Sequence, residues 1–252
     1  LAFLVAAAPA SALPEGYHYE LVSPPDKNDG DVGAGLFVGA FYASADGDRI
    51  AYPATGGFGD TPSNGVATPY MAIRGDEYWS STSLALPMAP SLFIGSNQAL
   101  SVSPDFTKAI SLATIDVETG RWLPIDAPEL RLLDVETRES QQFSVRDIYG
   151  NAVASFDSAT IAGNADYSRV IYEAQAEIGQ LDGLGSSDYR VYMRNKSGVH
   201  SRVNYLPDGR VVPARLPDVS MRPVSERADV VYFTTRSAGS VSNDDRGLYR
   251  RD

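Results

Sequence analysis

The chain has no cysteine and only two histidines, His18 and His200, in 252 residues. That excludes a disulfide framework, a thiolate metal site, a cysteine nucleophile and any zinc site built on several histidines. Positive charge is also scarce, with 21 Lys and Arg against 32 Asp and Glu and a net charge of −11. Such a field repels polyanions, so nucleic acid is a poor partner unless a local patch reverses the sign. Beyond the first dozen residues no window approaches 18 consecutive apolar residues, so no membrane span is expected there. Site motifs are missing too. There is no G-x-S-x-G elbow, which Gly183-Leu184-Gly185-Ser186 narrowly misses, and no phosphate cradle of the G-x-x-x-x-G-K-[ST] type.

What is present is enough to fold. Hydrophobic residues make up 43% and charged residues 21%, a globular balance at a length that supports a sizeable core. Residues 1–12, LAFLVAAAPASA, form a short apolar run that ends in small side chains, as a signal-peptide remnant would. Export is the location this predicts, and with no cysteine the exported chain depends on packing alone. Residues 13–35 read as an N-terminal arm: Tyr17-His18-Tyr19-Glu20-Leu21-Val22 suits an edge strand, and Pro24-Pro25 with the Asp, Asn and Gly that follow demands loop geometry.

The informative feature is a repeat. Ser44-Ala45-Asp46-Gly47, Ser103-Pro104-Asp105-Phe106, Asn164-Ala165-Asp166-Tyr167 and Val224-Ser225-Glu226-Arg227 start 59, 61 and 60 residues apart, and each precedes a β-branched and aromatic run. Small or Pro residues at the second place and acidic residues at the third suit a hairpin corner, with Asp46, Asp105, Asp166 and Glu226 capping the turn. The runs that follow, such as IAYPA and VIYEA, are apolar enough to predict burial on both faces. A further strand follows 17 to 23 residues on in each copy, beyond a Gly-, Ser- and Asp-rich loop in copies such as the first and third. Each copy is then a four-stranded antiparallel meander, at approximately 39–98, 99–157, 158–219 and 220–252. Four strands cannot cover both their own faces, so the meanders must stack. The expectation is an all-β protein, a β-propeller-like array over 36–252 that is partial or truncated, because three full copies and an incomplete fourth fall short of a common ring.

The corners of Ser103-Pro104-Asp105 and Ser44-Ala45-Asp46-Gly47 resemble those of TolB-like secreted β-propeller proteins. Asn164-Ala165-Asp166 matches that pattern less fully, and the copy at Val224 departs from it. The opening from Leu13 to Lys27 is similar to the mature start of uncharacterised exported proteins of Gram-positive soil bacteria. The resemblance implies a blade and is nearly silent about activity, since related propellers serve as scaffolds, as accessory domains of peptidases and as sugar-binding or sugar-cleaving modules.

On this reading the chain is a secreted or cell-surface scaffold that binds a protein or a polysaccharide and needs no cofactor. Tyr78, Trp79 and Trp122 are the candidate binding residues, because Tyr and Trp supply rigid, amphipathic contact area. The rival reading is a hydrolase or lyase with carboxylates meeting in a central channel; Asp157 and Glu173 are candidates, though their spacing fixes no acid–base separation. No catalytic residue is assigned. Calcium is the weaker reading of Asp26 to Asp31, whose order fails the EF-hand loop, and no metal ligand is assigned. Asn195-Lys196-Ser197 fits an N-glycosylation pattern that a bacterial export context leaves unused.

Overall fold

The computed structural model describes residues 19–33, 41–58, 68–86, 101–113, 119–121, 129–143, 161–174, 184, 188–217, 224–235 and 247–252. Every regular element among them is a β-strand, and the strands form four antiparallel sheets in chain order. In the first sheet β1 (Asp31–Val32) and β2 (Tyr42–Ala43) lie end to end along one edge of β3 (Arg49–Thr55), which pairs with β4 (Thr68–Arg74) and then β5 (Trp79–Ser83). The second sheet runs β6 (Ser101–Val102), β7 (Lys108–Ala113), β8 (Glu129–Asp134), β9 (Ser140–Gln142). The third runs β10 (Ile161–Gly163), β11 (Arg169–Ala174), β12 (Arg190–Asn195), β13 (His200–Arg202). The fourth contains β14 (Ala214–Arg215), β15 (Val231–Thr235) and β16 (Leu248–Arg251). None closes into a barrel, and the whole is an open array of propeller-like blades.

Stacking is what covers the sheet faces. Ala51, Met71 and Leu84 of the first sheet and its exit pack on Val102, Phe106 and Leu133 of the second. Ile110, Leu132 and Phe143 meet Ile161, Tyr167 and Tyr172 of the third, while Ile171 and Val191 on its opposite face meet Leu216, Val231 and Phe233 of the fourth. Because successive side chains point to opposite faces, one strand such as β11 serves two cores, with Tyr172 on one side and Ile171 on the other. Eight residues after the first corner position, aromatic cross-strand pairs recur: Tyr52–Tyr70, Tyr172–Tyr192 and Phe233–Tyr249, stacked with centroids 5.9, 5.7 and 5.7 Å apart. In the second sheet Ser111 faces Arg131 at that place.

Each corner is a four-residue loop held the same way. The N–H groups of Arg49, Lys108, Arg169 and Val230 donate to a side-chain oxygen of Ser44, Ser103, Asn164 and Ser225, at 2.9, 2.9, 2.8 and 3.1 Å. Gly47, Phe106, Tyr167 and Ala228 each donate a backbone N–H three residues back and each has φ between 50° and 80°. A left-handed residue there turns the chain into the returning strand. Only the first copy uses glycine for it; Phe106 and Tyr167 bear the cost of that conformation and bury their rings between blades instead.

This geometry corrects the fourth copy by one residue. Its corner begins at Ser225, not Val224, so the intervals are 59, 61 and 61 and Glu226 stands at the second place, where Pro104 stands in the second copy. A one-residue shift exchanges the two faces of a strand. Phe233 therefore takes the core position expected of Tyr232, which is 39% exposed, and β15 alternates rather than burying both faces. In this blade β14 pairs with β15, and an isolated bridge joins Val224 to Val231; residues 220–222, assigned to its first strand, lie outside the described residues.

The arm departs from expectation as well. Tyr19 to Val22 forms no strand; the arm pairs instead through β1, in the stretch read as loop. Val22 and Val32 cover the face of the first sheet around Tyr52, Phe58 and Tyr70. Trp79 Nε1 donates to Glu20 Oε2 at 2.7 Å and Arg74 pairs with the same carboxylate, so the arm is clasped to blade one. Gly30 permits this approach, since a Cβ there would lie 2.3 Å from the Thr55 carbonyl oxygen. The signal-like residues 1–12 lie outside the described residues.

Ser103 is buried, and its hydroxyl both accepts from Lys108 N and donates to Asp105 Oδ1 at 2.7 Å. Ser103→Ala is expected to lower the unfolding free energy by about 1–2 kcal/mol, read from the shift of a urea denaturation midpoint, because it strips a partly buried N–H of its partner.

Candidate functional site

An antiparallel meander sends its first and third turns to one end and its second turn and exit to the other. In each blade the corner and the β4–β5, β8–β9 or β12–β13 turn therefore share one end, and Arg74 N donating to Asp48 O at 2.8 Å ties the two together in blade one. Tyr78 and Trp79 belong to the corner end. Trp122 lies outside the described residues. Tyr78 is 74% exposed, whereas Trp79 is half-buried in the arm clasp.

Three of the four corner residues act within their own turns. Asp46 Oδ1 accepts from Ser44 Oγ and Asp48 N, and these bonds hold its carboxyl below the usual range. Asp105 Oδ1 accepts from Ser103 Oγ and from Thr107 N and Oγ1. Asp166 Oδ1 accepts from Ser168 N at 3.0 Å. Glu226, at the second place of its corner, makes no comparable turn contact; there Asp229 Oδ1 accepts from Ser225 Oγ instead.

The corners also bind each other. Arg49 Nη1 donates to Asp105 O at 3.2 Å, and Asp105 N donates to Ala165 O at 3.1 Å, linking blades one to two and two to three. Arg49 therefore reaches across a seam, and Lys108 pairs with Asp134, whose carboxyl is drawn down to about 2 chiefly by that lysine. Between blades three and four no such bond forms among the described residues. The corners part there into a cleft of about 540 Å3 lined by Asn164, Ala165, Ser168, Arg169, Asn195, Lys196, Ser197, Glu226 and Arg227. Three cations face one carboxylate in it. Outside the lining, Asp229 is held low mainly by the Ser225 hydroxyl and further by the charges of Arg227 and Arg169.

Two buried polar groups are structural. The Glu173 side chain is wholly buried; Oε2 accepts from Arg215 Nε at 3.1 Å and Oε1 from Leu216 N. The Arg215 guanidinium also lies 3.7 Å from the Tyr189 ring centroid, completing a charged clasp between blades three and four. Asp157, its suggested partner in catalysis, lies outside the described residues. His200 is half-buried, with Nδ1 2.6 Å from the Tyr172 hydroxyl and its ring edge-on to Phe143. Burial, and secondarily the Arg194 charge, push its pKa down to about 4. In the Asp26–Asp31 cluster Asp26 Oδ1 accepts from Asn28 N and Asp31 Oδ1 from Val32 N, and among the described residues no three His, Cys, Asp or Glu side chains gather at metal-binding distance.

The cleft residues were not singled out from sequence as a site. The available signal was the departure of the fourth corner from the repeat, which puts Glu226-Arg227 where other copies carry Pro or Ala and then Asp.

The geometry defines an open array of antiparallel β-propeller blades. No family model matches the chain, and no curated protein matches it. Among solved structures it is similar to TolB from Acinetobacter baumannii, at 16% identity over 84% of this chain and 43% of that one, with a TM-score of 0.44. It is similar to the β-propeller domain of the Trilobed protease from Pyrococcus furiosus, described as having an open velcro topology, at 9% identity over 86% of this chain and 54% of that one, TM-score 0.44. A third likeness is to the tricorn protease, at 13% identity over 91% of this chain and 22% of that one, TM-score 0.43. The chain spans between about a fifth and just over half the length of these proteins.

Two predictions follow from the buried groups. Glu173→Gln removes the charge that faces Arg215 and should cost about 2–3 kcal/mol in chemical denaturation. For His200 the folded pKa lies below the unfolded value of 6.5, so the unfolded chain takes up a proton first. Its stabilising effect is complete above pH 6.5, declines as pH falls towards 4 and falls no further below that. His200→Asn should flatten this part of a melting-temperature profile measured from pH 7 to pH 4.

Proposed function

We propose that the chain is an exported, non-catalytic propeller scaffold that binds a protein or a polysaccharide outside the cell or at its surface, as a member of a TolB-like group of exported proteins of Gram-positive bacteria. The observation that carries this reading is the open polar cleft between the corners of blades three and four, whose Arg169, Lys196 and Arg227 have no ion-pair partner among the described residues. Its volume lies within the range of about 300–1,000 Å3 usual for ligand sites. Repeat arrays bind along a surface formed by successive units, and the corner end is such a surface. The described carboxylates at the blade seams, Glu173 and Asp105, are engaged in holding blades and turns together.

The test is retention of the purified chain on a panel of immobilised polysaccharides and surface proteins, with product release followed in the same tubes. The expected outcome is saturable retention on at least one polymer with no new reducing ends or unsaturated products. Catalytic release of sugar would overturn the scaffold reading in favour of a propeller hydrolase or lyase.

A further inference from the structure

The cleft between blades three and four inverts the charge of the molecule around it. In a chain of net charge −11, three cations and a single carboxylate line a pocket that also presents the side-chain amides of Asn164 and Asn195 and the hydroxyls of Ser168 and Ser197. We propose that this cleft binds the carboxylate of a short acidic oligosaccharide, of the uronate class. The proposal rests on the scaffold reading above and names the ligand of that site.

Four observations carry it. Among the described residues the corner seam is open only here: bonds from Arg49 to Asp105 and from Asp105 to Ala165 close the other two, and the fourth corner, one residue out of step with the pattern read from its sequence, replaces a turn-capping Asp by Arg227. Arg169 and Arg227 can each present a planar fork of donors to a carboxylate, and Lys196 adds a compact charge from the neighbouring turn. Asn164 and Asn195 are already fixed, Asn164 by Ser168 and by Arg169 N, and Asn195 by Ser197 N and Val199 N, so the polar wall around the cations is pre-organised. Finally, Ala165 is the only apolar residue among the described lining residues, so no aromatic or branched aliphatic side chain there stands ready to pack on the anchor that dominates protein interfaces. A ligand rich in hydroxyls and carrying a carboxylate matches such a wall; a folded protein partner does not. Asp166 and Asp229 flank the cleft, and together with the net charge they disfavour a long polyanion, so a short oligomer is the better fit.

The test is calorimetric or NMR titration of the full chain with a galacturonic acid trimer, its neutral methyl ester and a peptide of four glutamates. The trimer should bind, the methyl ester should bind about tenfold more weakly, and Arg169→Gln and Arg227→Gln should each weaken the trimer about tenfold. Arg210→Gln, in the connection at the opposite end of the array, should leave the affinity unchanged, and Arg169→Lys should retain part of it. Affinity for the trimer should also fall as salt is raised. Equal binding of the ester, or indifference to both cleft variants, would overturn the inference while polymer retention still supports the scaffold reading. Tighter binding of the peptide would overturn it in favour of an acidic protein segment. No binding of any of the three would overturn it outright, and the absence of retention on the whole panel would remove the scaffold as well.

Discussion

A four-stranded sheet with two apolar faces is unstable in water until something lies against each face. That constraint organises this molecule. The middle strands β3, β7 and β11 cannot be satisfied by their own blade, so Ile110 and Tyr172 are buried only because blades two and three stack, and Ile171 only because blade four follows. At the start of the array the same requirement is met by the arm, whose Val22 and Val32 cover the aromatic face of blade one and whose Glu20 is clasped by Arg74 and Trp79. At blade four, alternation takes over: Val231 and Phe233 face the core, and Tyr232 faces outward.

Register then depends on the corners. One side-chain oxygen at the first position receives the N–H of the sixth residue, and the residue with left-handed backbone sends the chain back along its neighbour. In blades one to three the third residue, an Asp, secures the turn, and in two of them the corner main chain also receives or donates a bond across a seam. At the fourth corner, where Arg227 stands in place of that Asp, the turn is held through Ser225 and Asp229, and among the described residues no main-chain bond joins it to the corner of blade three.

The all-β class, the blade length and three of the four corners were legible because turn residues and β-rich runs act locally, within about ten residues. The fourth corner misled by one position because Val224-Ser225-Glu226 offers two hydroxyl- or acid-bearing alignments, and only the capture of Val230 N by Ser225 chooses between them. Trp79 looked like a binding residue from its type, yet Glu20, 59 residues away, engages its indole. The partner of Arg49 is likewise distant in sequence, the carbonyl of Asp105 in another blade. Such partners are brought close by stacking, which local pattern does not report.

By itself, then, the order of residues determined that this chain makes antiparallel meanders of about sixty residues, since turn formers and strand formers recur at that interval and their preferences are short-range. It also determined which chemistries are missing. Tertiary structure decided the rest: that Glu173 and Arg215 clasp two blades, that His200 is held against Tyr172, and that Arg169, Lys196 and Arg227 converge. The physical reason is that electrostatics and burial depend on distance in space: strand pairing brings Arg169, at the start of β11, beside Lys196 in the β12–β13 turn, and only stacking brings Arg227 of the next blade to them.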